Sequence, residues 1–270
     1  MDVRPAGTPV SRRVLPFLQE LRKTAPSIPC EVWITPGSVI PVELQSFFTQ
    51  EATASITLRY MPSNYTSSAG NTLDLHSRHG GHIGKALALR DSSFQYSVLL
   101  DGDSWPCPGW LESVKNTTRE VDVVWTLAPS PFGDLPSNTH VSPSMRDEDI
   151  KNFTHFHERN TGTVFAVLKS PATNRWLTDA LDLRALQSTQ EHLEKYRTEW
   201  SNWEYKDQPA FRESYFLHRR ELSEYIYPNS IACRDGGGQL KGCQCMCNCS
   251  SCLFLHGRHP FDQCAATLSR

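Results

Sequence analysis

Short apolar runs, each bordered by turn formers, recur along the chain and predict its elements. Val14–Lys23 reads as a helix behind a polar leader. Cys30–Thr35 (CEVWIT), closed by Pro36-Gly37, reads as a strand, Pro41–Gln50 as a helix and Ala54–Tyr60 (ASITLRY) as a second strand. Met61–Thr72 carries Pro, Ser, Asn and Gly and reads as a loop. His82–Arg90 (HIGKALALR) is helical in character. Tyr96–Leu100 is continuous rather than alternating, the pattern of a strand covered on both faces. Trp110–Asn116 reads as a helix and Val121–Ala128 (VDVVWTLA) as a strand. Strand and helix thus alternate, which predicts an α/β fold with a mostly parallel central sheet flanked by helices. Pro129–Asn152 is a long polar loop. Beyond it come a strand at Thr161–Leu168, helices at Ser170–Leu183 and from Gln208 to Phe216, and a strand at Tyr225–Ile231. A Gly- and Cys-rich insertion covers 236–252. The predicted organisation is a leader and helix over 1–27 and a single domain over 28–270.

Composition narrows the class. The chain has 270 residues and a net charge of -2, which argues against a dedicated nucleic-acid binder. No run approaches the 18 or so consecutive apolar residues of a membrane span, and the N-terminus lacks the apolar core of a signal peptide. Nine cysteines and four Asn-x-Ser/Thr sequons, at Asn64, Asn116, Asn152 and Asn248, point to the lumen of the Golgi or endoplasmic reticulum, with an anchor outside this chain. The cytoplasm is the alternative.

Candidate chemistry begins at FQYSVLLDGDSWPC, where an apolar strand ends in Asp101-Gly102-Asp103. In open α/β sheets, ligands gather beyond the carboxyl ends of the strands. Residues two apart in extended backbone share a side, about 7 Å apart at Cα. Two carboxylates so placed repel unless a cation joins them, and a hard divalent ion such as Mg²⁺ or Mn²⁺ fills its remaining coordination with phosphate oxygens and water. Asp-Gly is also a favoured turn pair. The apolar strand before it and Trp105-Pro-Cys-Pro-Gly-Trp110 after it favour the cation.

The run GKALALRDSSFQYSVLLDGDSWPCPGW resembles the metal-binding core of nucleotide-sugar glycosyltransferases with the A-type (GT-A) fold. The resemblance implies that Asp101 and Asp103 hold a divalent metal on the donor diphosphate and that Lys85 is the basic residue on the preceding helix. RNTGTV at 159–164 is similar to the Asn-Ser/Thr-Gly element of glycogenin-like, galactosyl- and mannosyltransferases, which implicates Asn160 and Gly162 beside the donor sugar. Asp207-Gln208 looks like the family's Asp-Gln pair, which contacts donor sugar or acceptor hydroxyls. Taken alone, Asp207 before Pro209 also reads as a helix N-cap. In LFLHGRHPF, His256 resembles a third metal ligand, and Arg258 stands where relatives carry a diphosphate-binding lysine. The spacing there is shorter than the family's and no lysine follows. A neutral imidazole suits Mn²⁺ better than Mg²⁺.

The resemblance implies transfer of a sugar from a nucleoside-diphosphate sugar to a hydroxyl of a carbohydrate, glycoprotein or glycolipid acceptor, with retention of configuration. Two rivals stand beside it: a hydrolase with paired carboxylates, and a non-catalytic carbohydrate- or nucleotide-binding module on the same fold. Carboxylates two residues apart on one strand suit a shared cation better than attack from opposite faces of a glycosidic bond.

Cys243, Cys245, Cys247, Cys249 and Cys252 alternate along an extended stretch, and such neighbours do not bond readily to each other. Disulfides to distant cysteines such as Cys233 and Cys264 are expected, with a soft-metal site and free thiols as alternatives.

Overall fold

The computed structural model describes residues 14–35, 37–49, 55–77, 82–100, 104–118, 120–127, 147–154, 156–157, 159–191, 207–227, 232–234 and 253–256. The helices are α1 (Val14–Thr24), α2 (Val42–Thr49), α3 (Gly84–Asp91), α4 (Trp110–Thr118), α5 (Asp147–Thr154), α6 (Pro171–Gln187) and α7 (Gln208–His218). The strands are β1 (Cys30–Ile34), β2 (Ile56–Tyr60), β3 (Asn64–Thr66), β4 (Thr72–Asp74), β5 (Tyr96–Leu99), β6 (Ser104–Pro106), β7 (Val123–Leu127), β8 (Arg159–Leu168), β9 (Glu224–Tyr227), β10 (Ala232–Arg234) and β11 (Phe254–His256). None of these helices is long and apolar enough to cross a membrane.

A four-stranded sheet in the order β5-β8-β7-β9 carries the core. Successive side chains of a strand point to opposite faces, so each strand feeds two layers. Leu99, Val123, Trp125 and Val167 pack with Trp176, Leu177, Phe211 and Tyr215 of α6 and α7. Val98, Val124 and Ala166 pack on the other side with Val14, Leu18, Trp110 and Val114 of α1 and α4. The helices present the matching stripes: Trp110, Val114 and Thr118 of α4 lie four residues apart and are buried. Ser170 caps α6 by accepting from the Thr173 N–H, while the Thr173 hydroxyl accepts from the Ser170 N–H. Such a reciprocal cap contributes about 1 kcal/mol. Trp125 meets Tyr215 and Trp176 edge-on, at ring-centroid separations of 4.5 and 5.5 Å.

The α/β expectation holds, but the sheet is mixed rather than mostly parallel. β8 runs antiparallel to both β5 and β7, and β7 is parallel to β9. A strand buried on both faces is apolar throughout whichever way it runs, so its residues carry no sign of direction. β5, β7 and β9 therefore point the same way, and their carboxyl ends share one sheet edge with the amino end of β8. β1 and β2 form a separate parallel pair. The segment read as a loop from Met61 to Thr72 holds β3, which pairs with β4 across a turn containing Gly70 at φ 84°. Asp182 of α6 ties this hairpin down, accepting from the Tyr65 hydroxyl at 2.5 Å and the Ser68 hydroxyl at 2.6 Å. The 129–152 loop reading is shortened by α5, which begins at Asp147. The 236–252 insertion lies outside the described residues.

Glu31 links β1 to two neighbours. It accepts from the Ser93 hydroxyl at 2.9 Å and from Trp33 Nε1 at 3.1 Å, and it pairs with Arg59 at 3.2 Å. Burial raises the pKa of this carboxyl, but hydrogen bonds from Ser93 and Trp33 outweigh burial and hold it below its ordinary 4.5. A folded-state value below the unfolded one stabilises the fold above about pH 4.5 and loses that contribution as pH falls through the folded value. Glu31→Gln is expected to lower stability at pH 7 by about 1–2 kcal/mol. The gap to wild type should narrow in urea titrations below pH 4.5. An equal gap at pH 7 and pH 3 would show that the charge is not what matters.

Candidate functional site

Three side chains meet at the sheet edge where β5, β7 and β9 end. Lys85, in the first turn of α3, is buried because Gly84 to Leu89 of that helix are all buried. Its Nζ lies 3.5 Å from Oδ2 of Asp207, and both side chains are only 8% exposed. The Thr161 hydroxyl, from the amino end of β8, donates to the same Oδ2 at 3.1 Å.

Asp207 precedes α7 but does not act as its cap. Its backbone has φ -86° and ψ -26°, and its side chain makes no capping hydrogen bond. An N-cap residue needs an extended backbone to turn its oxygen onto the first N–H groups. The carboxylate faces Lys85 and Thr161 instead, so the capping reading does not hold.

The Asn-Thr-Gly segment breaks the sheet. The β7–β8 ladder passes from Trp125↔Phe165 to Thr126↔Asn160, leaving residues 161–164 out of register with β7. The strand was expected to start at Thr161, and it starts at Arg159 with this irregularity inside it. Irregularities of this kind re-aim a side chain, here Thr161 onto Asp207. Arg159 anchors the outer end of the break. Its Nε donates to Glu224 Oε2 at 3.1 Å and its Nη2 to Oε1 at 2.5 Å, while Trp125 Nε1 donates to Oε2 at 2.7 Å. The guanidinium carbon lies 4.1 Å from the centroid of the Phe156 ring. Burial, followed by the Glu224 charge, pushes the nearby Tyr215 hydroxyl well above its ordinary pKa.

A small second sheet, β10-β11-β6, adds the remaining pieces. His256 of β11 lies opposite Ser104 of β6, the residue that follows Asp103, and opposite Arg234 of β10 on its other side. The Cys107 N–H donates to the Leu253 carbonyl at 2.9 Å, extending the contact of these segments. Cys107 is wholly buried and is not a free thiol; Cys30 is free.

Of the residues singled out in the sequence, Lys85 and Asp207 are in direct contact. The backbone of Asn160 and Gly162 runs beside them in β8, and Gln208 opens α7. His256 is paired with the residue next to Asp103. Asp101, Asp103 and Arg258 lie outside the described residues, as do the side chains of Asn160, Gln208 and His256. Among the described residues no group of three or more metal-capable side chains occurs. One residue had no role in the sequence reading. Thr161 sat inside the quoted segment, and its signal was a hydroxyl beside a glycine at a strand start.

A cavity of about 650 Å³ lies elsewhere, between α1, β1, β5 and α4. Among the described residues, Glu31 and Lys115 are its only charged lining residues, and none of the described candidate residues lines it. It lacks the convergent polar groups of a site for a charged, hydroxylated ligand.

No family model matches the sequence, and no curated protein matches it. Solved structures are similar at the level of the backbone trace. The apo form of mouse xyloside xylosyltransferase 1 has 10% identity over 96% of this chain and 98% of its own, with a TM-score of 0.43. The galactosyltransferase LgtC in complex with donor and acceptor sugar analogues has 11% identity over 96% of this chain and 92% of its own, with a TM-score of 0.48. An active-site mutant of LgtC has 8% identity over 94% and 91%, with a TM-score of 0.49.

Proposed function

We propose that the chain is a metal-dependent glycosyltransferase. It moves a sugar from a nucleoside-diphosphate sugar to an acceptor hydroxyl with retention of configuration. The observation that carries this reading is the buried Lys85–Asp207 pair with Thr161, at the sheet edge where β5 ends, two residues before Asp101 in the sequence. The register His256↔Ser104 supports the donor set, because Ser104 directly follows Asp103 in the sequence. Two carboxylates and an imidazole fit Mn²⁺ chemically. When bound by Asp101, Asp103 and His256, the ion would neutralise charge on the departing diphosphate.

The chain's own residues account for the rest. Arg258 supplies positive charge for the diphosphate oxygens. Asp207 accepts a hydrogen bond from a sugar hydroxyl, with Gln208 beside it, and the break at Asn160–Gly162 gives the sugar room. Lys85 balances the Asp207 charge, so the carboxylate binds and orients without needing a cation from the substrate. No side chain in the described site is arranged as a base-activated nucleophile. Attack by the acceptor from the face of the departing diphosphate then accounts for retention.

The test is incubation with Mn²⁺ and a panel of UDP- and GDP-sugars. Release of nucleoside diphosphate from at least one donor, abolished by a chelator, is expected. Metal-dependent nucleotide binding without release would instead indicate a binding module. No metal-dependent nucleotide binding by calorimetry would overturn both.

A further inference from the structure

We infer that Thr161 is a positioning residue: its hydroxyl locks the rotation of the Asp207 carboxylate so that Oδ1 is the oxygen presented to a sugar hydroxyl. This inference rests on the transferase reading above.

The carboxyl group of an aspartate turns about a broad, roughly two-fold torsion, so the side chain alone does not decide which oxygen faces outward. Here the surroundings decide. Thr161 Oγ1 and Lys85 Nζ both meet Oδ2, at 3.1 and 3.5 Å. Oδ1 has no hydrogen-bond partner among the described residues, and the helix that Asp207 precedes draws no bond from it. Asp207 as a whole is 6% exposed. A carboxylate oxygen without a protein donor is free to accept from an incoming group.

The chemistry of the missing donor follows from the charges. An ionised carboxylate only accepts hydrogen bonds. Lys85 already balances the charge, so the incoming group needs to be a donor but not a cation. A sugar hydroxyl meets both conditions.

Threonine suits the task better than serine would. Its β-branched side chain restricts χ1, which holds the hydroxyl in one direction. Thr161 is 1% exposed, and it reaches Asp207 because residues 161–164 leave the ladder with β7. A regular strand would continue the pairing through this position.

The experiment compares Thr161→Val with Thr161→Ser, using the full chain, Mn²⁺ and the nucleotide sugar that the wild type turns over. Valine keeps the shape and removes the hydroxyl. The expected result is a fall in kcat of about tenfold to a hundredfold for Thr161→Val. KM for the nucleotide sugar should stay within about threefold, because binding of the diphosphate is untouched. Thr161→Ser should recover kcat to within about threefold of wild type. A melting temperature within about 4 °C of wild type separates this from loss of the fold. Wild-type kcat in Thr161→Val, or a Thr161→Ser variant as impaired as Thr161→Val, overturns the inference while leaving the transferase reading standing. A wild type that turns over no nucleotide sugar overturns the transferase reading and this inference with it.

Discussion

Asp101→Asn combined with Asp103→Asn is expected to abolish Mn²⁺-dependent nucleotide binding and to lower sugar transfer by about a thousandfold or more. Asparagine keeps the length and shape of aspartate but offers a neutral oxygen, a weak ligand for a hard divalent ion. The two residues follow β5 in the chain, and β5 ends at Leu99 beside β8 at one side of the sheet. Two readouts are needed, because lost turnover alone has many causes. A ligand at a hundred times its Kd stabilises a folded chain by about 2.7 kcal/mol. Wild type should therefore melt higher when Mn²⁺ and nucleoside diphosphate are added together, and the double variant should not. A double variant that keeps both the thermal shift and the transfer activity would sink the metal assignment.

Lys85→Met is the second large effect, and it reads on stability. The variant leaves the Asp207 carboxylate buried with Thr161 as its remaining described partner. Breaking a buried ion pair by removing one member costs about 3–5 kcal/mol, because the surviving charge is uncompensated. Both side chains are 8% exposed, so solvent screens them little. Lys85→Met is expected to lose about 3 kcal/mol in urea denaturation, at the low end because the Thr161 hydrogen bond survives. Adding Asp207→Asn should restore part of the loss, since the stranded charge is then gone. Equal stability of wild type and Lys85→Met would mean that the pair is solvated, and the picture of a dry, charge-balanced site would fail.

The same residues show where reading the chain succeeds. Tyr96–Leu99 was legible as a strand because its run is short and bordered by polar residues, but the burial expected on both faces is incomplete, since Tyr96 is exposed and Val98 half-buried. Lys85 and Asp207 were legible only through their neighbours, a Lys in an otherwise apolar helix and an Asp-Gln before Pro209. Their contact spans more than a hundred positions, and nothing local specifies it. The β3–β4 hairpin was missed because its strands are only three residues each, too short for alternation to register. The capping role open to Asp207 failed because its backbone is already helical, a property decided by how α7 packs against α6 and β8.

The amino-acid order by itself determined the alternation of strand and helix and the place of the acidic pair after β5. These follow from side-chain type and short-range spacing, which act over a few residues. Only the tertiary structure decided that β8 runs against its neighbours, that its ladder breaks at Thr161, and that Lys85, Thr161 and Asp207 share one oxygen. Strand direction and long-range contact depend on the total burial and hydrogen bonding of the folded chain. A buried apolar strand satisfies local preference equally well either way round.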